Sequence, residues 1–149
     1  MKYFTALFII FSGVFSMLAN CLEFTNSLII KDKGLENVVK IYYELESNKN
    51  WEKTFNLRSG KYRELVSYSL YSKKMISSSI GWELRTIEIL DVEKLDDSTI
   101  EINIRFFSKR NGFNHVFTEV TTWANEEGGW LVIKPGIRGR FYLNDWLIK

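Results

Sequence analysis

Glu119 has more chemical promise than any other residue of the chain, because of what its neighbours put beside it. Thr99 to Phe107 alternates cleanly, with Ile100, Ile102, Ile104 and Phe106 on one face of a strand and Glu101, Asn103 and Arg105 on the other. Asn111-Gly112 reads as a two-residue hairpin turn. Counting outward from it pairs Arg110 with Phe113, Phe106 with Phe117, Ile104 with Glu119, Ile102 with Thr121 and Ile100 with Trp123. Glu119 then shares a face with the isoleucine stripe. A carboxylate held among apolar side chains keeps its proton to higher pH and can act as a general base or acid. A tyrosine such as Tyr42 or Tyr43 is the available donor for negative charge developing nearby. The plainer alternative is a strand glutamate that reaches the rim of the sheet or bonds a tyrosine. A one-residue slip sends Glu119 to solvent and turns Val116, Val120 and Thr122 toward the helices. Asp91 has the same two readings with less support.

The other reactive side chains promise less. His115 is the single histidine, and a Ser-His-Asp arrangement would need it buried and oriented by a carboxylate. At a hairpin end, solvation is its ordinary fate. Cys21 is the single cysteine, which excludes an intrachain disulfide and a thiolate zinc site. There is no phosphate-binding glycine loop, no pair of histidines at helical spacing and no G-x-S-x-G elbow. These residue types imply no metal and no cofactor. Net charge is +2, or +1 without Lys2, which gives no reason to expect nucleic acid as a partner. Lys134, Arg138, Arg140 and Lys149 make the C-terminal end basic, and a solvated end explains them.

The N-terminus has the layout of a secretory signal peptide. Lys2 precedes an apolar run from Tyr3 to Ala19, and no acidic residue occurs before Glu23. The run is near the length that spans a bilayer, but the small residues at its end and the polar shift after Leu22 favour cleavage after Cys21. The chain is therefore expected to be exported, periplasmic or secreted. The alternative is a lipoprotein: Leu18-Ala19-Asn20-Cys21 resembles a lipobox, departing from it at Asn20, and only a lipidated Cys21 would tie the protein to a membrane. The predicted organisation is a signal peptide over 1–21, a lead-in over 22–34 and a single domain over 35–149.

The elements that must position these residues fall into two halves. The lead-in has an extended piece at Leu28-Ile29-Ile30. Leu35, Val38, Ile41, Tyr42 and Leu45 recur at helical spacing, with Glu36 in the first turn. Trp51, Phe55 and Leu57 mark a second helical piece that Gly60 ends, and Ser67 caps a third carrying Leu70, Tyr71, Met75 and Ile76. From Trp82 the pattern turns to strands, with turns at Asp96-Asp97-Ser98, Asn111-Gly112 and Glu126 to Gly129, and a last strand over Trp130 to Lys134. A four-residue loop there pairs Asn125 with Trp130 and Trp123 with Val132. Helices first and strands second predict α+β, with N-terminal helices packed on an antiparallel sheet.

Trp51, Thr54-Phe55 and Leu57, then Tyr62-Arg63, Val66-Ser67 and Tyr71, resemble the helical half of ketosteroid-isomerase-like cone folds, also called nuclear-transport-factor-2-like. Trp123, an acidic-glycine turn and Trp130-Leu131-Val132-Ile133 resemble the strand half. The resemblance covers Leu35 to Ile133 and implies a curved sheet whose concave face, covered by helices, leaves a pocket. Tyr42, Trp51, Phe55, Phe106, Phe117 and Trp123 are the candidates to line it; as large aromatics they are equally suited to fill the core. The superfamily's catalytic set has no counterpart here residue by residue, and its members' functions are too varied for the fold to decide. The expected function is thus an exported, non-enzymatic module that binds a small apolar ligand or a protein through the pocket or the sheet face. Alternatives are an isomerase- or dehydratase-like enzyme with Glu119 as base, and a lipid-anchored structural envelope protein. Phe107, Val116 and Val120 would suit a homodimer through the sheet.

Overall fold

Asp32 opens the longest helix, α1 (Lys33–Ser47), by accepting a hydrogen bond from the Leu35 N–H at 2.9 Å. This comes from a computed structural model of the chain, which describes residues 21–126 and 128–137. Most of the expected leader, Arg138, Arg140, Lys149 and the aromatic segment Phe141 to Ile148 lie outside the described residues. The buried side of α1 carries Leu35, Glu36, Val39, Tyr42, Tyr43 and Glu46. It is rotated from the expected stripe: Ile41 is exposed, and Val38 and Leu45 are half-buried. Two tyrosines account for the rotation, since each buries its ring and still bonds its hydroxyl, Tyr42 to Glu46 Oε1 (3.0 Å) and Tyr43 to the Pro135 carbonyl (2.7 Å).

Three shorter helices follow, α2 (Trp51–Asn56), α3 (Gly60–Leu65) and α4 (Tyr68–Ser78). Side chains of Asn50, Ser59 and Ser67 cap them, accepting from the N–H groups of Lys53, Tyr62 and Leu70. Ser67 caps as expected. Gly60 does not end a helix; it is the first residue of α3, because Ser59 supplies a cap and Glu126 Oε2 accepts from the Gly60 N–H at 2.9 Å. The lead-in also differs from expectation. Ser27–Ile29 is a 3₁₀ turn, and the extended piece lies earlier, at β1 (Glu23–Thr25).

The strands β1, β2 (Trp82–Lys94), β3 (Thr99–Arg110), β4 (Phe113–Glu126) and β5 (Gly129–Lys134) form one five-stranded sheet in chain order. Only the β1–β2 pair is parallel. The α+β arrangement read from the sequence is correct. Asn111 (φ 50°) and Gly112 (φ 86°) make the turn between β3 and β4, and the expected pairs Ile104–Glu119, Phe106–Phe117, Ile102–Thr121 and Ile100–Trp123 all form. Asn125–Trp130 and Trp123–Val132 form as well, although Glu126 pairs with Gly129, so the loop is shorter than expected. The inner face of the sheet packs Ile87, Ile89, Ile102, Ile104, Phe106, Trp123 and Val132 against Leu35, Val39, Tyr42 and Tyr43 of α1. A second apolar cluster, Trp51, Tyr62, Val66, Tyr71 and Met75, joins the short helices.

Candidate functional site

Glu119 lies on the inner face, opposite Ile104, and is half-buried. Beside it Thr121 is fully buried; its hydroxyl donates to the Ile102 carbonyl at 3.0 Å and accepts from the Trp123 indole at 2.9 Å. Gly136 presses onto both: a Cβ on it would stand 2.6 Å from Thr121 Cγ2 and 3.1 Å from Glu119 Cβ. The Tyr43 hydroxyl holds the same segment through Pro135. The candidate oxyanion donors, Tyr42 and Tyr43, therefore already spend their protons on Glu46 and on a backbone carbonyl.

Of the six pocket-lining candidates, four come together. Tyr42, Phe106, Phe117 and Trp123 belong to the main core, where Tyr42 meets Trp123 edge-on at 5.8 Å and Phe106 stacks on Phe117 at 5.2 Å. Trp51 and Phe55 sit instead in the helical cluster with Tyr71. These rings pack on one another.

Sequence reasoning missed the polar centre of that helical layer. Glu46 is 1% and Arg58 0% exposed. Arg58 Nη2 donates to the Ile133 carbonyl at 2.8 Å, and its guanidinium carbon lies 3.7 Å from the centre of the Tyr62 ring. The link between α2 and α3 is in turn bridged to β5, Arg58 pairing with Val132. The Tyr71 hydroxyl donates to Thr54 Oγ1 at 2.9 Å. Burial, then the negative charge of Glu46, push Tyr71 well above the usual tyrosine range, and Tyr43 rises for the same two reasons. Both phenols are thus neutral donors. The one available signal was spacing: Glu46 follows Tyr42 by four residues, on the same side of a helix.

Of the remaining candidates, Asp91 faces outward, whereas His115 alternates onto the side of Phe117 and Glu119. Asp91 is not on the inner face. A register break between Ile89 and Asp91 turns it to the outer side, opposite Asn103, where it lines a groove of about 130 Å³ with Glu93, Glu101, Asn103 and Val120. A second groove, of about 250 Å³, is lined by Arg85, Phe107, Ser108, Asn114, His115 and Val116. His115 is exposed and lies beside the Trp82 ring, with centroids 5.6 Å apart. Arg85 is engaged by Glu83. Cys21 is exposed. Among the described residues, no group of three or more His, Cys, Asp or Glu side chains could hold a metal ion, and no helix is long and apolar enough to cross a membrane.

No protein-family model matches the chain, and no curated protein does. Solved structures do. A SEC-C motif containing protein of Rhodopseudomonas palustris matches with a TM-score of 0.53 at 13% identity, over 65% of this chain and 73% of that one. A second, from Psychrobacter arcticus, matches with a TM-score of 0.53 at 10% identity, over 67% of this chain and 58% of that one. The fold is nuclear-transport-factor-2-like. At these identities the likeness concerns the fold alone.

Proposed function

We propose that the chain is an exported, non-enzymatic binding module that meets a protein partner on the outer face of its sheet. One observation carries this reading: the inner aromatics are packed against one another, whereas Val116 and Val120 are exposed around the outer grooves. Large apolar side chains left in water on a flat strand surface favour contact with another protein. The partner's chemistry follows from the two grooves. The acidic one, with Asp91, Glu93 and Glu101, suits a basic side chain; the one floored by Phe107 and Val116 suits an apolar anchor. Capture of partners from the exported fraction, followed by reconstitution with each purified protein, tests it. Val116→Asp is expected to weaken the reconstituted complex roughly tenfold, or about 1.4 kcal/mol, while Glu119→Gln leaves it unchanged. Turnover of a substrate that Glu119→Gln abolishes would overturn the reading.

The enzymatic alternative rests on Glu119 alone, half-buried on the inner face. Its candidate donors, Tyr42 and Tyr43, are committed to Glu46 and to the Pro135 carbonyl. The lipid-anchored alternative rests on Cys21, exposed two residues ahead of β1.

A further inference from the structure

Helix α4 is apolar on both sides. Tyr71 and Met75 are buried in the cluster with Trp51, Tyr62 and Val66, yet Leu70 and Ile76 are exposed. Leu70, Lys73, Ile76 and Ser77 share the outer side at steps of three and four, and Ile80 follows Ile76 by four. The solvent side of a surface helix is ordinarily polar; this one is mainly aliphatic. The Asn111 N–H donates to the Gly81 carbonyl at 2.9 Å, which sets the β3–β4 turn against the end of α4. There Ile80 is 70% and Phe113 75% exposed.

Charge at this end has one sign. No aspartate or glutamate occurs from Leu65 to Trp82 or from Ile102 to Thr118, while Lys73, Lys74, Lys109 and Arg110 do. Glu83, opposite Lys109, is engaged by Arg85. Strand order shows which end of the molecule this is. β2 begins and β3 ends at it, with Trp82 paired to Arg110. β1 runs parallel to β2, Glu23 beside Thr86, so the chain also enters β1 from this end, at Cys21. The segment after β5 approaches β4 elsewhere. Gly136 lies against Glu119 and Thr121, and Glu119 is six residues of β4, about 20 Å of strand, from Phe113.

We propose that this end, with Ile76, Ile80 and Phe113 ringed by Lys73, Lys109 and Arg110, seats on the surface of an anionic membrane. The apolar side chains stand on a helix end and a turn tip. Such convex features enter the boundary between headgroups and acyl chains with no matching pocket required. Lysine and arginine lay their carbon stems along that boundary while their charged heads meet lipid phosphates. The entry of the chain at Cys21 faces the same surface, whether or not Cys21 carries lipid. The contact is made by the end of the sheet and is independent of a protein partner on its outer face.

Co-sedimentation of the protein, recovered from its exporting host, with lipid vesicles tests this. Binding to phosphatidylglycerol vesicles that weakens with salt is expected, and little binding to phosphatidylcholine vesicles. Lys73→Ala should lower the partition coefficient about fivefold, the worth of one basic side chain near an anionic surface. Ile80→Ser combined with Phe113→Ser should lower it about tenfold or more, with thermal unfolding unchanged because both positions are exposed. Hydroxyl-radical footprinting should mark Phe113 in the free protein and spare it on vesicles. Absence of binding overturns the proposal, and so does equal binding to the two lipids. Binding indifferent to the Ile80 and Phe113 substitutions overturns it as well, giving the contact to another segment, a retained leader included. Phe113 already protected in the free protein also overturns it, since the tip is then covered by residues 138–149 or by a second copy.

Discussion

Three donors converge on the Glu36 carboxylate: Lys33 and Lys40, each at 2.8 Å, and Ser27 at 3.0 Å. Led by the two lysines, they lower its pKa from 4.5 to about 2. The folded state therefore favours the ionised form. Its contribution to stability is complete above pH 4.5 and is lost as pH falls toward about 2. Wild-type protein should lose urea resistance over that interval, and Glu36→Gln should flatten the loss; midpoints measured at several pH values check this. At this scale the sequence was legible where a turn fixed a register, as for Glu119 on the face of Ile104. It was not legible for Glu46 and Arg58, because a charged residue on an amphipathic helix reads as solvent-facing until its partners are known. For Asp91 the sequence left both faces open, because a bulge changes the parity of every residue beyond it.

Elements were read well where periodicity ran long. The alternation of β3 and the turn at Asn111-Gly112 gave the sheet's centre, and Ser67 gave the start of α4. Short pieces escaped. The three residues of β1 have no period to detect, and α3 was hidden by a glycine at its first position. Gly136 has a role that only its surroundings reveal. It sits at φ 72°, and a Cβ there would come within 2.6 Å of Thr121 Cγ2. Gly136→Ala combines a left-handed backbone with a clash against β4, so a loss of about 1–3 kcal/mol is expected. Thermal unfolding of the variant measures it. Loosening this segment would also strain the Tyr43–Pro135 bond that ties β5 to α1.

For the whole molecule, helices followed by strands gave the architecture from the sequence. The composition left function open, since the fold serves many ends. Export remains a matter of chemistry that can be weighed: intact mass of protein from the natural host should show loss of the first 21 residues without a lipid adduct, and a diacylglyceryl-modified Cys21 would favour the anchored reading. One architectural detail bears on how the chain is made. Glu23 of β1 meets Thr86 of β2 across a separation of 63 residues. A ribosome releases the first strand long before its mate exists, so Leu22 and Ile30, both buried in the finished core, must wait in water through most of synthesis. Closing so long a loop is slow compared with forming α1 or the β3–β4 hairpin. The beginning of the domain is thus expected among the last parts to fold, leaving the chain around Cys21 open until assembly is nearly complete.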